Sequence, residues 1–175
     1  MVDSLFLLFI KIFVMLLDFN SLPDNSKIWI YQSNRKFYPQ ELDAIKNKIE
    51  SFLNQWTNEN KPIQASYEIK YDRFILFAVD VANSPLSLNA IDQSVSFIIE
   101  IQEIYSVELL DKLNVCFKQG EHVQYKDLKT FQKLVKNKSV SSKTIVFNNL
   151  INTKEELENN WEIPITESWH SRFIK

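Results

Sequence analysis

The sequence predicts an α+β fold with a ferredoxin-like βαββαβ core, a mostly antiparallel sheet, and a C-terminal elaboration that covers the second face of that sheet. Three observations carry this expectation. Up to Lys118 the segments read strand, helix, strand, strand, helix, strand, the order of the split βαβ arrangement, which implies a sheet order of 4-1-3-2. The run Phe74–Val79 is apolar at every position, so both faces of that strand must be buried. With 45% hydrophobic and 24% charged residues in 175 positions, the chain has the composition and length of one globular domain.

Each element has its own warrant. "KIWIYQS" (Lys27–Ser33) sets Ile28 and Ile30 against Trp29 and Tyr31 and reads as a strand. Pro39 opens a helix, and from Gln40 to Trp56 the apolar residues Leu42, Ile45, Ile49, Phe52, Leu53 and Trp56 fall at helical spacing. Asn58–Pro62 breaks it. Ala65–Tyr71 and Arg73–Val79 form a hairpin about Tyr71-Asp72. A second helix runs from about Ala90 to Tyr105, with Asn89 and Asp92 spaced as N-cap and third helical residue. "NVCFKQ" and "HVQYK" flank Gly120-Glu121, a Gly-X turn. That turn sets Gln119 opposite His122 and Cys116 opposite Tyr125, so Cys116 and His122 are not neighbours. A helix over Asp127–Lys136, the strand "TIVFNN", a short acidic helix and a Pro-interrupted tail follow.

The run Leu5–Leu17 is apolar, but it is shorter than the roughly 20 residues of a membrane span and carries Lys11 in its middle. Asp3 before it and bulky residues after it do not make a secretory signal. Met15 reads as the natural start, residues 1–14 as an extension, and 15–175 as a single domain. Membrane association is expected only if residues 1–14 belong to the protein. The lone Cys116 provides no disulfide framework and fits a reducing, cytoplasmic interior.

Composition also excludes functions. Average usage predicts about twelve glycines in this length, and there is one, Gly120. A P-loop, a dinucleotide fingerprint and a Gly-x-Ser-x-Gly elbow each need more, because glycine lets backbone approach phosphate or take a strained turn. Two histidines and one cysteine do not close a four-ligand Cys/His zinc site. No cofactor is expected, and only a carboxylate metal site survives. A formal charge of -2 argues against a surface given over to nucleic acid.

Four groups of residues are candidate sites. Asp80 ends a strand and Asp92 begins a helix, so the pair could meet at one end of the sheet and hold a divalent metal. The plainer reading makes Asp92 a helix cap and leaves Asp80 the better functional candidate. Arg35 and Arg73, two of only three arginines, fall at the opposite end. They suit a carboxylate or phosphate, unless a pairing such as Arg73 with Asp72 or Glu68 absorbs them. Lys126, Lys129, Lys133 and Lys136 share one helix face, able to contact an anionic polymer or simply to meet solvent. Trp169, His170, Arg172 and Phe173 have the composition of an interface or stacking site, or of a tail packed on the core. Ser168 beside His170 lacks an identified third member for a triad.

The blocks "LPDNSKIWIYQSNRKF", "SLNAIDQSVSFI" and "IVFNNLINTKEELENNWEIPITESWHSRF" resemble a family of small uncharacterised bacterial proteins, some of which carry the label "ABC transporter ATPase". The resemblance covers most of the chain from about Met15. It implies no established activity, and one glycine cannot supply the P-loop and signature segment that the label requires. The family pattern reads Ser-Gly-Cys-Ser-Ile-Asp where this chain reads Ser87-Leu88-Asn89-Ala90-Ile91-Asp92. Asn89 therefore stands in place of a cysteine whose thiolate a helix N-terminus would favour. The expectation in first place is a non-catalytic binding module with a protein partner or a second copy of itself. A metal-dependent enzyme using Asp80 and Asp92 comes second, and a lysine-striped binder of anionic polymers third.

Overall fold

A computed structural model describes residues 16–82 and 85–174. The expectations for residues 1–14 and Met15 lie outside them. Among the described residues no helix is long and apolar enough to cross a membrane.

The architecture is α+β. A three-stranded antiparallel sheet of β1 (Lys27–Gln32), β4 (Ala65–Lys70) and β5 (Phe74–Val79) has the order β1-β5-β4. Helices α1 (Pro39–Gln55) and α2 (Leu88–Tyr105) cover one face. A small hairpin of β2 (Thr57–Asn58) and β3 (Lys61–Pro62) follows α1. The other face packs on a second sheet of β6 (Val115–Gln119), β7 (His122–Lys126), β8 (Ile145–Phe147) and β9 (Glu162–Pro164), in the order β7-β6-β8-β9. Helix α3 (Leu128–Lys136) and the tail pack behind that sheet, and α4 (Lys154–Asn160) joins β8 to β9.

β5 explains the layering. All six of its residues are 0% exposed. Ile75, Phe77 and Val79 point into the helical layer with Ile45, Ile49, Trp56 and Ile98. Phe74, Leu76 and Ala78 point into the second sheet with Cys116, Phe147 and Trp161. A strand with no polar face needs two covers, as the sequence predicts. The second cover includes β6 as well as segments after Gly120.

β6 is where the expected order fails. Instead of extending the first sheet beyond β1, it pairs with both β7 and β8. Its ladder is therefore complete, and the outer edge of β1 is bonded by other segments only at its two ends: Ile28 N–H donates to Asn152 O, Lys154 N–H to Ser26 O, and Asn34 N–H to Glu108 O. The hairpin register about Gly120 is as expected, with Gln119 opposite His122 and Cys116 opposite Tyr125.

The start of α2 also differs from expectation. Its cap is Ser87, whose hydroxyl accepts from Ala90 N–H at 3.2 Å, so Asn89 and Asp92 lie inside the helix. Serine two residues earlier is as good a cap as asparagine, and it admits Leu88 and Asn89 to the first turn.

With a single glycine, which turns the β6–β7 hairpin, the chain takes its other left-handed turns on bulkier residues. Glu59, Asn60, Tyr71, Asp72, Ser106 and Lys138 all have left-handed φ between 50° and 65°. This conformation costs an L-residue roughly 1–2 kcal/mol. Ser106 closes α2, where glycine is the usual choice. Ser106→Gly is expected to raise stability by about 0.5–1 kcal/mol, seen as a higher thermal midpoint. Phe77→Ala, which empties the helical side of β5, should cost about 3–5 kcal/mol in urea unfolding.

Candidate functional site

The outer edge of β1 is bonded at both ends and, among the described residues, has no backbone partner between them. Even-numbered residues of β1 turn their backbone groups away from β5, since Ile28 N–H bonds to Asn152 and odd-numbered Ser33 N–H bonds to Arg73 O in the hairpin. Asn152–Lys154 closes the edge at Ser26–Ile28, and Glu108 closes it at Asn34. At Ile30 and Gln32 two N–H and two C=O groups face outward, with no backbone partner among the described residues. A cavity of about 230 Å³ runs along this gap, and Trp29, Asp111, Asn114, Asn149, Trp169 and His170 are among its lining residues.

A relay of amides holds the inner wall. Trp161 Nε1–H donates to Asn149 Oδ1 at 2.9 Å, Asn149 Nδ2–H to Gln32 Oε1 at 3.0 Å, and Gln32 Nε2–H to Asn114 O at 3.0 Å. Each link polarises the next in a partly buried setting. Gln32 is buried, so the relay satisfies a polar side chain between two sheets while holding the cavity wall in place.

His170 lines the same cavity and is 1% exposed. Burial first, and the Arg172 charge second, push its imidazole down to about 4. The ring is therefore neutral at pH 7. It stacks on Trp169 with centroids 3.9 Å apart, and Ser168 Oγ lies 2.8 Å from its Nδ1. Ser168 Oγ also accepts from the His170 backbone N–H and sits 3.2 Å from Ile165 O. Among the described residues no carboxylate bonds to His170, so the pair has no third member to orient the imidazole as a base.

The other candidates occupy separate places. Asp80 lines a small concavity of about 180 Å³ with Lys61, Gln64 and Leu86, and its Oδ1 accepts from Ala82 N–H at 2.9 Å, a local turn at the strand end. Asn89 and Asp92 line a groove of about 660 Å³ between α1 and α2, floored by the stacked rings of Phe52 and Phe97 at 4.4 Å. The two aspartates line different concavities, and no group of three or more His, Cys, Asp or Glu able to hold a metal occurs among the described residues.

Arg35 and Arg73 both approach Ser33 but serve different partners. Arg35 forms a bidentate pair with Glu41 at 2.8 and 2.9 Å, donates to Tyr105 O, and lies over the Tyr38 ring. Arg73 is 7% exposed, bonds Ser33 O at 2.9 Å and lies 5.9 Å from the Tyr125 ring centroid. It makes no ion pair with Asp72 or Glu68 among the described residues, where Glu68 pairs with Lys70. Desolvation lowers its pKa. Cys116 nearby is buried, and its thiol is pushed up to about 12 by that burial, which makes it inert. Arg172 lies over Trp169 and Phe173.

Comparison with protein-family models, curated proteins and solved structures found no match. The site therefore rests on its geometry. The sequence points to Trp169 and His170, but it carries no signal for the side-chain amides of Gln32 and Asn149 or for the Asn114 backbone carbonyl, which come from three distant segments and follow no motif.

Two tests follow from the cavity walls. Asn149→Ala leaves the Trp161 indole N–H and the Gln32 carbonyl unpaired, and should cost about 1–3 kcal/mol in urea unfolding. Unfolded His170 binds its proton near the ordinary 6.5 and folded His170 only near 4. Its contribution is complete above about 6.5 and is lost as pH falls toward about 4. The difference in pH–stability profile between wild type and His170→Gln should show that loss, and a flat difference would refute it.

Proposed function

We propose that the protein is a non-catalytic binding module, and that it takes a short extended peptide along the open part of β1. The observation that carries this reading is the gap at Ile30 and Gln32, closed at both ends and bordered by a cavity. An exposed sheet edge adds a strand by backbone hydrogen bonds, while neighbouring pockets read alternate side chains. At about 3.3 Å per residue, the open stretch matches about three peptide residues. Walls on both sides favour a slender segment over the sheet of a second copy.

The energetics fit a reversible module. Up to four backbone hydrogen bonds contribute about 0.5–1.5 kcal/mol each, and side chains entering the cavity add burial. Together these correspond to micromolar to millimolar affinity. Trp29 and Trp169 give the cavity aromatic lining against which an apolar side chain can be buried. The βαββα part of the fold we read as a ferredoxin-like unit whose fourth-strand position is left to a ligand. The resemblance to the small bacterial family is compatible with this reading and supplies no activity to it.

Proline at Ile30 provides the test. The Ile30 N–H points away from β5, so proline there removes an outward donor without breaking the β1–β5 ladder. Displayed heptapeptides panned on the full chain should enrich extended sequences, and their binding should protect the Ile30 and Gln32 amides from hydrogen exchange. Ile30→Pro should weaken that binding at least tenfold, while Ile30→Val retains it and circular dichroism stays unchanged. Enrichment of no peptide, or equal binding by Ile30→Pro, would overturn the proposal.

A further inference from the structure

The chain is acidic overall, with a formal charge of -2, yet the segment from Lys126 to Lys143 holds six lysines and one aspartate. The aspartate, Asp127, is committed to capping α3, where its Oδ1 accepts from Thr130 N–H at 2.9 Å. None of the six lysines forms an ion pair among the described residues. Lys129, Lys133, Lys136 and Lys138 are all exposed. A solvated helix face usually intersperses the two signs of charge, and this one does not.

Beside the lysines is a concavity of about 790 Å³. Val135, Val140, Phe173 and Ile174 give it an apolar lining, and Lys136 and Lys138 also line it. Val140 is buried, and the other three are partly buried against the core behind the second sheet. Cationic side chains thus border an apolar depression formed by α3, the loop after it and the tail.

We infer that this face binds an acidic amphipathic segment of a partner protein, with apolar side chains in the concavity and carboxylates against Lys129, Lys133, Lys136 and Lys138. Charge complementarity selects an anionic partner, and the apolar lining selects among anionic partners. A bilayer is entered by protruding apolar groups, whereas this apolar surface is concave. Single-stranded nucleic acid needs free ring faces for stacking, and Phe173 is engaged by Arg172 at 5.0 Å and by a T-shaped contact with Trp169 at 5.9 Å. Helix-in-groove recognition uses apolar anchors spaced along one helical face, and lysines around such a groove set orientation and association rate. This surface is independent of the β1 gap and stands or falls separately.

The probe is a fluorescein-labelled 16-residue helical peptide with leucines on one face and glutamates on the other. It is titrated into the full chain by anisotropy, against a scrambled peptide of equal composition, oligothymidylate and phosphatidylglycerol vesicles. The amphipathic peptide should bind, at least tenfold more tightly than the scramble, and more weakly as salt rises. Lys133→Glu with Lys136→Glu should reduce binding more than tenfold, and Val135→Asp should do so without altering net fold by circular dichroism. Ile30→Pro should leave it unchanged. No binding, equal binding of the scramble, or tighter binding to oligothymidylate or vesicles would overturn the inference.

Discussion

Burial of β5 on both faces is the constraint from which the rest of the structure follows. Six consecutive side chains with no polar member cannot line a surface, so the chain must supply two apolar layers for one strand. The first comes from α1 and α2, adjacent in sequence to the strands they cover. The second comes from a separate sheet whose inner side chains, Cys116, Val123 and Phe147, together with Trp161 just before β9, meet Phe74, Leu76 and Ala78. Because that sheet lies across the face of the first, β6 is unavailable to extend its edge. The open stretch of β1 is thus a by-product of how β5 is covered.

Polar groups at the junction of the sheets are handled in two ways. At one end, Tyr71 donates to Glu162, whose other oxygen receives Lys118, and Lys118 also lies over the Tyr71 ring. Glu162 raises the Lys118 pKa, while for Tyr71 burial comes first and Glu162 second. At the other, the Trp161–Asn149–Gln32–Asn114 relay uses neutral groups only: an indole N–H, two side-chain amides and a backbone carbonyl. Neutral donors and acceptors avoid the desolvation penalty of buried charge, and the relay borders a cavity instead of sealing it.

The tail links the two proposed surfaces. Trp169 and His170 line the cavity at β1, whereas Phe173 and Ile174 line the concavity beside the lysines. The aromatic cluster that the sequence offers as one interface candidate is divided by the turn at Trp169–Phe173 into parts that face different places. Phe131, 0% exposed, packs against His170 and Phe173 and holds both parts in position.

Local features were legible in the sequence because their causes lie within a few residues. Helical spacing in α1, the turn at Gly120 with its register, the Asp127 helix and the double burial of β5 all follow from neighbours in the chain. So do the exclusions that rest on one glycine. The cap of α2 lies at Ser87, two residues before Asn89, because serine and asparagine compete as caps on nearly equal terms. The tertiary structure alone decided which sheet β6 joins, that Arg35 is consumed by Glu41, and that Asp80 and Asp92 line different concavities. It also made the site at β1, where Gln32 meets Asn149 across 117 positions and Asn114 across 82. Amides carry no periodicity and no motif. Their role exists only once two sheets pack and leave a polar edge that must be satisfied.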